Sequence, residues 1–373
     1  MADYHAQIDE LIARADLLAA GAVKVSAIEE AVRVADLHND LEEGFWLRDE
    51  LIDAALHGGY PEKALVAFTW CLAQCDRDPD RFPEDLDLLW IYKWFCQELP
   101  RFPEITRVQI EETFADMSAR YQRAGLSLRA VYQLQTMAAG VMGDGRAAIA
   151  YERQWRGSLP DGSNDCPACE LHYRLEHWLL VGEDNRVLTA AEPLLREQLC
   201  CSEIPHLTLG LILLPLARAG RWQEAARYHL WGYRLVMRNR RYLKTVGEHL
   251  IFLVVAQQLK RAVTLMEQHL LWALESREMY GCFYFYRACC LLLRQWRQGD
   301  RAELRARLPQ KFPGYCADGR YSVEDLSAWF EEMAEHLARR FDSRNGNNFF
   351  SRELTALQDL KDLRPEGLFA LEL

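Results

Sequence analysis

Gly220-Arg-Trp-Gln-Glu-Ala225 ends one helical run, turns tightly and starts another. The same grammar is written three more times, as Gly143-Asp-Gly-Arg-Ala-Ala148, Gly182-Glu-Asp-Asn-Arg-Val187 and Gln257-Gln-Leu-Lys-Arg-Ala262. The small residue five places after each turn falls at 148, 187, 225 and 262, so the unit recurs every 39, 38 and 37 residues. Periods of roughly 34 to 47 residues belong to stacked helix-turn-helix repeats, in which each unit packs only on its neighbours. The expected fold is all-α, a solenoid of stacked antiparallel helix pairs with helical caps at both ends.

The same punctuation reaches toward both ends of the chain. Apolar residues Ile8, Leu11, Ile12, Ala15 and Leu18 keep helical spacing. Ser26 with Glu29 reads as a capping box. A helix over 41–56 stops at Gly58-Gly59, and Pro61 restarts the next in a first turn where its missing N–H is harmless. Ala64 lies 84 residues before Ala148, room for one degenerate copy between them. Prolines at 79, 83, 100 and 103 bracket an aromatic helix over 84–98, whose Trp90, Tyr92, Trp94 and Phe95 read as core rather than as a ligand cage. Helix pairs are expected at 166–181 with 184–196, 204–218 with 222–238, and 242–256 with 259–275. A final aromatic pair begins at Met279. Ser322 caps a helix running to Phe341, and a short helix over 351–360 precedes a loose tail. No stretch reads as a strand. The division is a cap over 1–40, repeats over 41–307, and capping helices with a tail over 308–373.

The chain has 373 residues, half of them hydrophobic and 27% charged, which is the balance of a folded domain. Its net charge of −11 argues against nucleic acid, whose affinity rests on Lys and Arg neutralising phosphates. It suits a basic protein partner instead. Arg234, Arg238, Arg240, Arg241 and Lys244 cluster around one loop and read as a solvated connection. Residues 1–10 lack a basic segment followed by an apolar run, so no secretory signal is expected. The longest apolar runs, 207–217 and 250–256, fall well short of the roughly 20 residues that span a bilayer. Eleven scattered cysteines do not form a secreted disulfide framework, and the expected location is cytoplasmic with reduced thiols.

The pattern at 220–225, with Ala64, Ala130, Ala148 and Ala262 where helices must nearly touch, resembles the tetratricopeptide repeat of uncharacterised bacterial repeat proteins. The resemblance covers about residues 40 to 300. It departs from that family in its longer period, in Val187 for an alanine, and in His229 and Ala191 where an aromatic is expected. The resemblance implies a right-handed solenoid that binds a protein or peptide on a concave face lined by the first helix of each pair, without catalysis. A narrower version is an immunity-type protein that encloses a basic toxin domain. Counting back thirteen, ten and six residues from each turn residue places Gln133, His172, Glu176 and Lys244 as candidate contacts on that face.

A separate signal is Cys166-Pro-Ala-Cys169, followed by Cys200-Cys201 and, five residues later, His206. The start of one unit's first helix and the end of its second share an edge of a helical-pair array. Cys166, Cys169, Cys201 and His206 are therefore expected to converge as a tetrahedral structural zinc site, with four protein ligands leaving no place for water. A redox pair and simple packing of small buried thiols are the alternatives. No other cofactor is expected. Phosphate-binding, dinucleotide, His-Glu-x-x-His and nucleophile-elbow motifs are missing. The Glu-His pairs at 176, 248 and 335 are adjacent on helices and point apart. Arg339, Arg340 and Arg344 read as charges that favour a helix C-terminus.

Overall fold

The computed structural model describes residues 4–299, 301–360 and 362–366 and is built almost wholly of helices. Most of the tail expected after residue 360, like Met1 to Asp3, lies outside the described residues. The chain begins with α1 (Tyr4–Asp16), α2 (Ala22–Leu37), α3 (Leu41–Gly58) and α4 (Pro61–Arg77), each packed on the next. Asp40 starts α3 by accepting the Glu43 amide at 3.1 Å, with Glu42 and Glu43 complementing the first-turn dipole. Ser26 does not cap α2: that helix begins four residues earlier, and Ser26 lies inside it.

From α5 (Leu86–Glu98) onward the helices pair. The first members are α5, α7 (Arg129–Val141), α9 (Pro167–Leu180), α12 (His206–Leu211) continued by α13 (Leu213–Arg218), α15 (Leu243–Val255) and α17 (Met279–Arg297). Each touches its successor in this series. Their partners are α6 (Arg107–Arg123), α8 (Gly145–Gly157), α10 (Asp184–Ala190) with α11 (Glu192–Leu195), α14 (Trp222–Val236) and α16 (Leu259–Glu275). Two expected helices are broken, at Ala191 and at Ile212. Pro193 and Pro215 follow closely, and each removes a backbone donor that an unbroken helix needs.

The turns are one structure repeated. Gly143, Gly182, Gly220 and Gln257 all sit at left-handed φ of 70°, 82°, 71° and 58°. In each, the turn residue's N–H bonds three residues back and the next N–H bonds five back, as in Gly143 to Gly140 and Asp144 to Ala139. The anchors that follow, Ala148, Val187, Ala225 and Ala262, are completely buried. Two apolar cores result, one running from Ile8 to Met142 and the other from Ala168 to Leu360.

A hairpin of β1 (Glu303–Arg305) and β2 (Arg320–Ser322) stands where no strand was expected. Its antiparallel register pairs Leu304 with Tyr321, the one buried residue of each three-residue strand, too short a pattern to register as alternation. Ser322 then caps α18 (Val323–Asn345) by accepting the Asp325 amide, as expected from the sequence. α19 (Phe349–Thr355) and a 3-10 turn (Ala356–Leu360) follow.

Segments far apart in sequence meet. Asn239 Nδ2 donates to the His57 carbonyl at 2.8 Å, and Arg240 donates to the Tyr60 hydroxyl at 3.0 Å. Arg344 stands in the last turn of α18, as expected, but it also clamps a distant segment. It donates to the carbonyls of Pro100, Phe102 and Ile105 at 2.7, 3.2 and 3.1 Å, and burial pushes its pKa down to about 10. The basic run around residue 240 is largely engaged too, since Arg241 pairs with Glu203 and Lys244 with two carboxylates.

Candidate functional site

Six residues before each turn residue stand Met137, Glu176, Leu214 and Ile251. All four line one cavity of about 300 Å³. The common register follows from the common turn: each first helix ends in the same left-handed residue, so the same position swings to the same side. The same wall continues through Tyr280, Tyr284 and Arg287 of α17, packed beside α15, and the facing wall comes from the C-terminal segment. That segment contributes Phe349 and Glu353 from α19 and Ala356 and Leu360 from the 3-10 turn that continues it, positions that recur at i, i+4, i+7 and i+11 in the sequence.

The chain's own helix therefore lies against the first-helix face. Phe349 rests so close to Gly143 that a Cβ there would meet the Phe349 ring at 2.3 Å. Asn347 Nδ2 donates to the Met142 carbonyl at 2.8 Å. Arg287 holds the segment twice, through Nε to the Glu353 carbonyl at 2.9 Å and through Nη2 to its carboxylate at 3.2 Å.

Lys244 is the central charge of the opposite wall. Its Nζ lies 2.8 Å from Glu248 and 3.3 Å from Glu176. Burial disfavours the ammonium, but the two carboxylates outweigh it and hold Lys244 protonated. Burial would raise Glu176, yet Lys244 and His172 keep it below the usual carboxylate range. Glu248 is pushed up, chiefly by burial. Three carboxylates and three basic side chains line the cavity, a balance that favours no ligand of single charge sign.

Of the four candidate contacts, Glu176 and Lys244 lie on this wall, whereas Gln133 and His172 lie in the core. Gln133 is completely buried and donates to Asp165, whose other oxygen takes the buried Lys93. His172 Nδ1 lies 3.0 Å from Thr208 Oγ1, and burial lowers its pKa. Both residues therefore brace neighbouring elements rather than face the cavity. Leu214 was within reach of the same counting rule applied to the Gly220 unit. Tyr280, Tyr284, Arg287 and Glu353 were not, because they belong to elements without the repeated turn.

The cysteine cluster is partly as expected. The Sγ atoms of Cys166, Cys169 and Cys201 all lie within 4.8 Å of one another, and Cys169 and Cys201 are 3.4 Å apart. Cys166 stands at the N-terminus of α9 and Cys169 lies one turn in. Burial and then the Cys201 thiol push the Cys169 pKa up. His206 does not join them. It opens α12 and stacks on Tyr242 with ring centroids 5.9 Å apart. The expected fourth ligand is thus turned toward an aromatic neighbour, leaving a group of three thiols.

Searched against models of protein families and against curated proteins, the chain gives no match to either. No helix among the described residues is long and apolar enough to cross a membrane.

Proposed function

We propose that the chain is a non-enzymatic binding scaffold, a solenoid of tetratricopeptide-like helix pairs that grips an amphipathic helix of a partner protein on its concave face. The observation that carries this reading is the chain's own segment in that groove, presenting Phe349, Glu353, Ala356 and Leu360 at helical spacing. Helix-in-groove recognition uses anchors at this spacing. The partner helix then carries an aromatic residue first, an acid one turn on to meet Arg287, a small residue, and a leucine. In the free protein the C-terminal segment holds the place, and a partner binds by displacing it. The repeated left-handed turns and the fully buried small anchors support the kinship with tetratricopeptide repeats.

The test is a fluorescence anisotropy titration with a labelled peptide of residues 346–360. It is added to the full chain and to a Phe349→Ala, Leu360→Ala chain whose folding is checked by circular dichroism. The weakened internal segment no longer competes, so the variant binds the peptide about 10-fold more tightly than the parent chain. A Glu353→Ala peptide binds the variant more weakly than the parent peptide. A folded variant that leaves the parent peptide unbound at about 1 mM, a binding free energy weaker than about −4 kcal/mol, sinks the proposal.

A further inference from the structure

We infer that Cys166, Cys169 and Cys201 form a three-thiolate zinc site with a fourth position open to water, a binding centre distinct from the groove. In tetrahedral zinc the Zn–S bond is about 2.3 Å, which sets neighbouring sulfurs roughly 3.8 Å apart. The 3.4 Å between Cys169 and Cys201, and the 4.8 Å that bounds all three, bracket that edge. The thiols need only small side-chain movements to close on an ion.

The backbone that carries them is held in advance. The loop before Cys166 is tied by Asp161, which accepts the Ser163 amide at 2.9 Å and the Ser127 amide, and by Asn164, which accepts the Asp161 amide at 2.6 Å. Lys93 reaches across from α5 to the Ser163 carbonyl at 2.8 Å and to Asp165, one residue short of Cys166. On the other side the Cys201 amide donates to the Ile204 carbonyl at 3.0 Å, and Arg241 secures Glu203 within the same loop. The N-terminus of α9, with Cys166 and Cys169, and the loop before α12, with Cys201, are thus held face to face.

Binding proceeds without redox change. Three thiols release three protons and give their sulfur lone pairs to Zn²⁺, leaving a centre of net charge −1. Affinity therefore rises with pH. Cys166 is exposed, while Cys169 and Cys201 are half-buried, so the open position faces solvent and admits water or an exchanging ligand. Three protein ligands plus water is the arrangement that structural four-ligand sites avoid. Cys200 and Cys316 are exposed but stand outside the group, which makes them internal controls.

The experiment uses the full chain, purified under reducing conditions, loaded with ZnCl2, desalted and analysed for metal. Alkylation by iodoacetamide is then mapped residue by residue with and without zinc. One equivalent of zinc is expected, with Cys166, Cys169 and Cys201 protected from alkylation at least 10-fold while Cys200 and Cys316 react as before. Cys169→Ser is expected to drop bound zinc below a tenth of an equivalent, and Cys200→Ser to leave it unchanged. The alkylation map needs no variant, so a poorly folding Cys169→Ser chain does not blunt the test. Less than a tenth of an equivalent in the parent chain, unaltered alkylation of the three thiols, or stoichiometric Cu⁺ with no zinc would overturn the assignment.

Discussion

Three histidines, His229, His249 and His269, sit almost wholly inside the second core. His229 and His249 face each other at 3.0 Å through their Nδ1 atoms, and Tyr233 links onward to His269 Nε2 at 3.0 Å. Burial lowers all three, His229 to about 3, with Arg261 adding to the effect, and His269 to about 4; His249 also falls well below its usual value. Each is neutral when folded but takes a proton near pH 6.5 when unfolded. Stability is therefore fully present above that pH and is lost as pH falls toward the folded-state values. The expected loss between pH 7 and pH 5 is about 2 kcal/mol per histidine. Urea midpoints at the two pH values measure it, and a His269→Gln chain shows a smaller drop. A midpoint insensitive to pH over this range would contradict neutral burial.

At the scale of elements, the connection after α5 has no regular structure to hold it beyond one 3-10 turn (Leu99–Arg101). It is held instead by α18. The Arg344 guanidinium gathers three carbonyls of residues 100–105, and Arg340 pairs with Glu104. Hydrogen bonds to a charged group contribute about 1.5–3 kcal/mol, so Arg344→Ala is expected to cost about 3 kcal/mol. Amide exchange should speed up in residues 99–106 while the exchange of α3 and α4 stays as it was. Arg344→Lys is expected to recover little, since one ammonium cannot span the fork that a guanidinium offers. The helix-end position expected of Arg344 holds, but its clamp was not foreseen, because those partners lie about 240 residues away in sequence.

For the molecule as a whole, the C-terminal segment closes one side of the cavity and is seated on a turn between two helices of the array. Gly143 is the point where the repeat turn and that segment meet, at φ 70° and under the Phe349 ring. Gly143→Ala strains the turn by about 1 kcal/mol and drives its methyl into Phe349. The expected outcome is a folded chain whose residues 346–366 are cut by protease at low enzyme ratios, with intact-mass spectrometry locating the cut. Gly220→Ala, at the same φ but with open space around it, costs similar stability and leaves the segment protected. Equal protection in both variants would mean that Phe349 does not seat the segment.

How far the residues alone could be read follows from the range of the forces involved. Helix, turn and anchor were legible because their causes are local. A left-handed residue closes hydrogen bonds three and five positions back, and this signature survives even where Gln257 replaces glycine. The period of 37 to 39 residues followed from it, as did the buried small anchors. Which side of each first helix faces the cavity was not local. Gln133 and Met137, like His172 and Glu176, stand four positions apart and so only about 40° apart around the axis. A small rotation set by packing sends one into the core and leaves the other on the wall. The packing of the C-terminal segment against the cavity, Arg344's clamp and the turning of His206 away from the three cysteines likewise depend on contacts between distant segments. Only the closed tertiary arrangement brings those segments together.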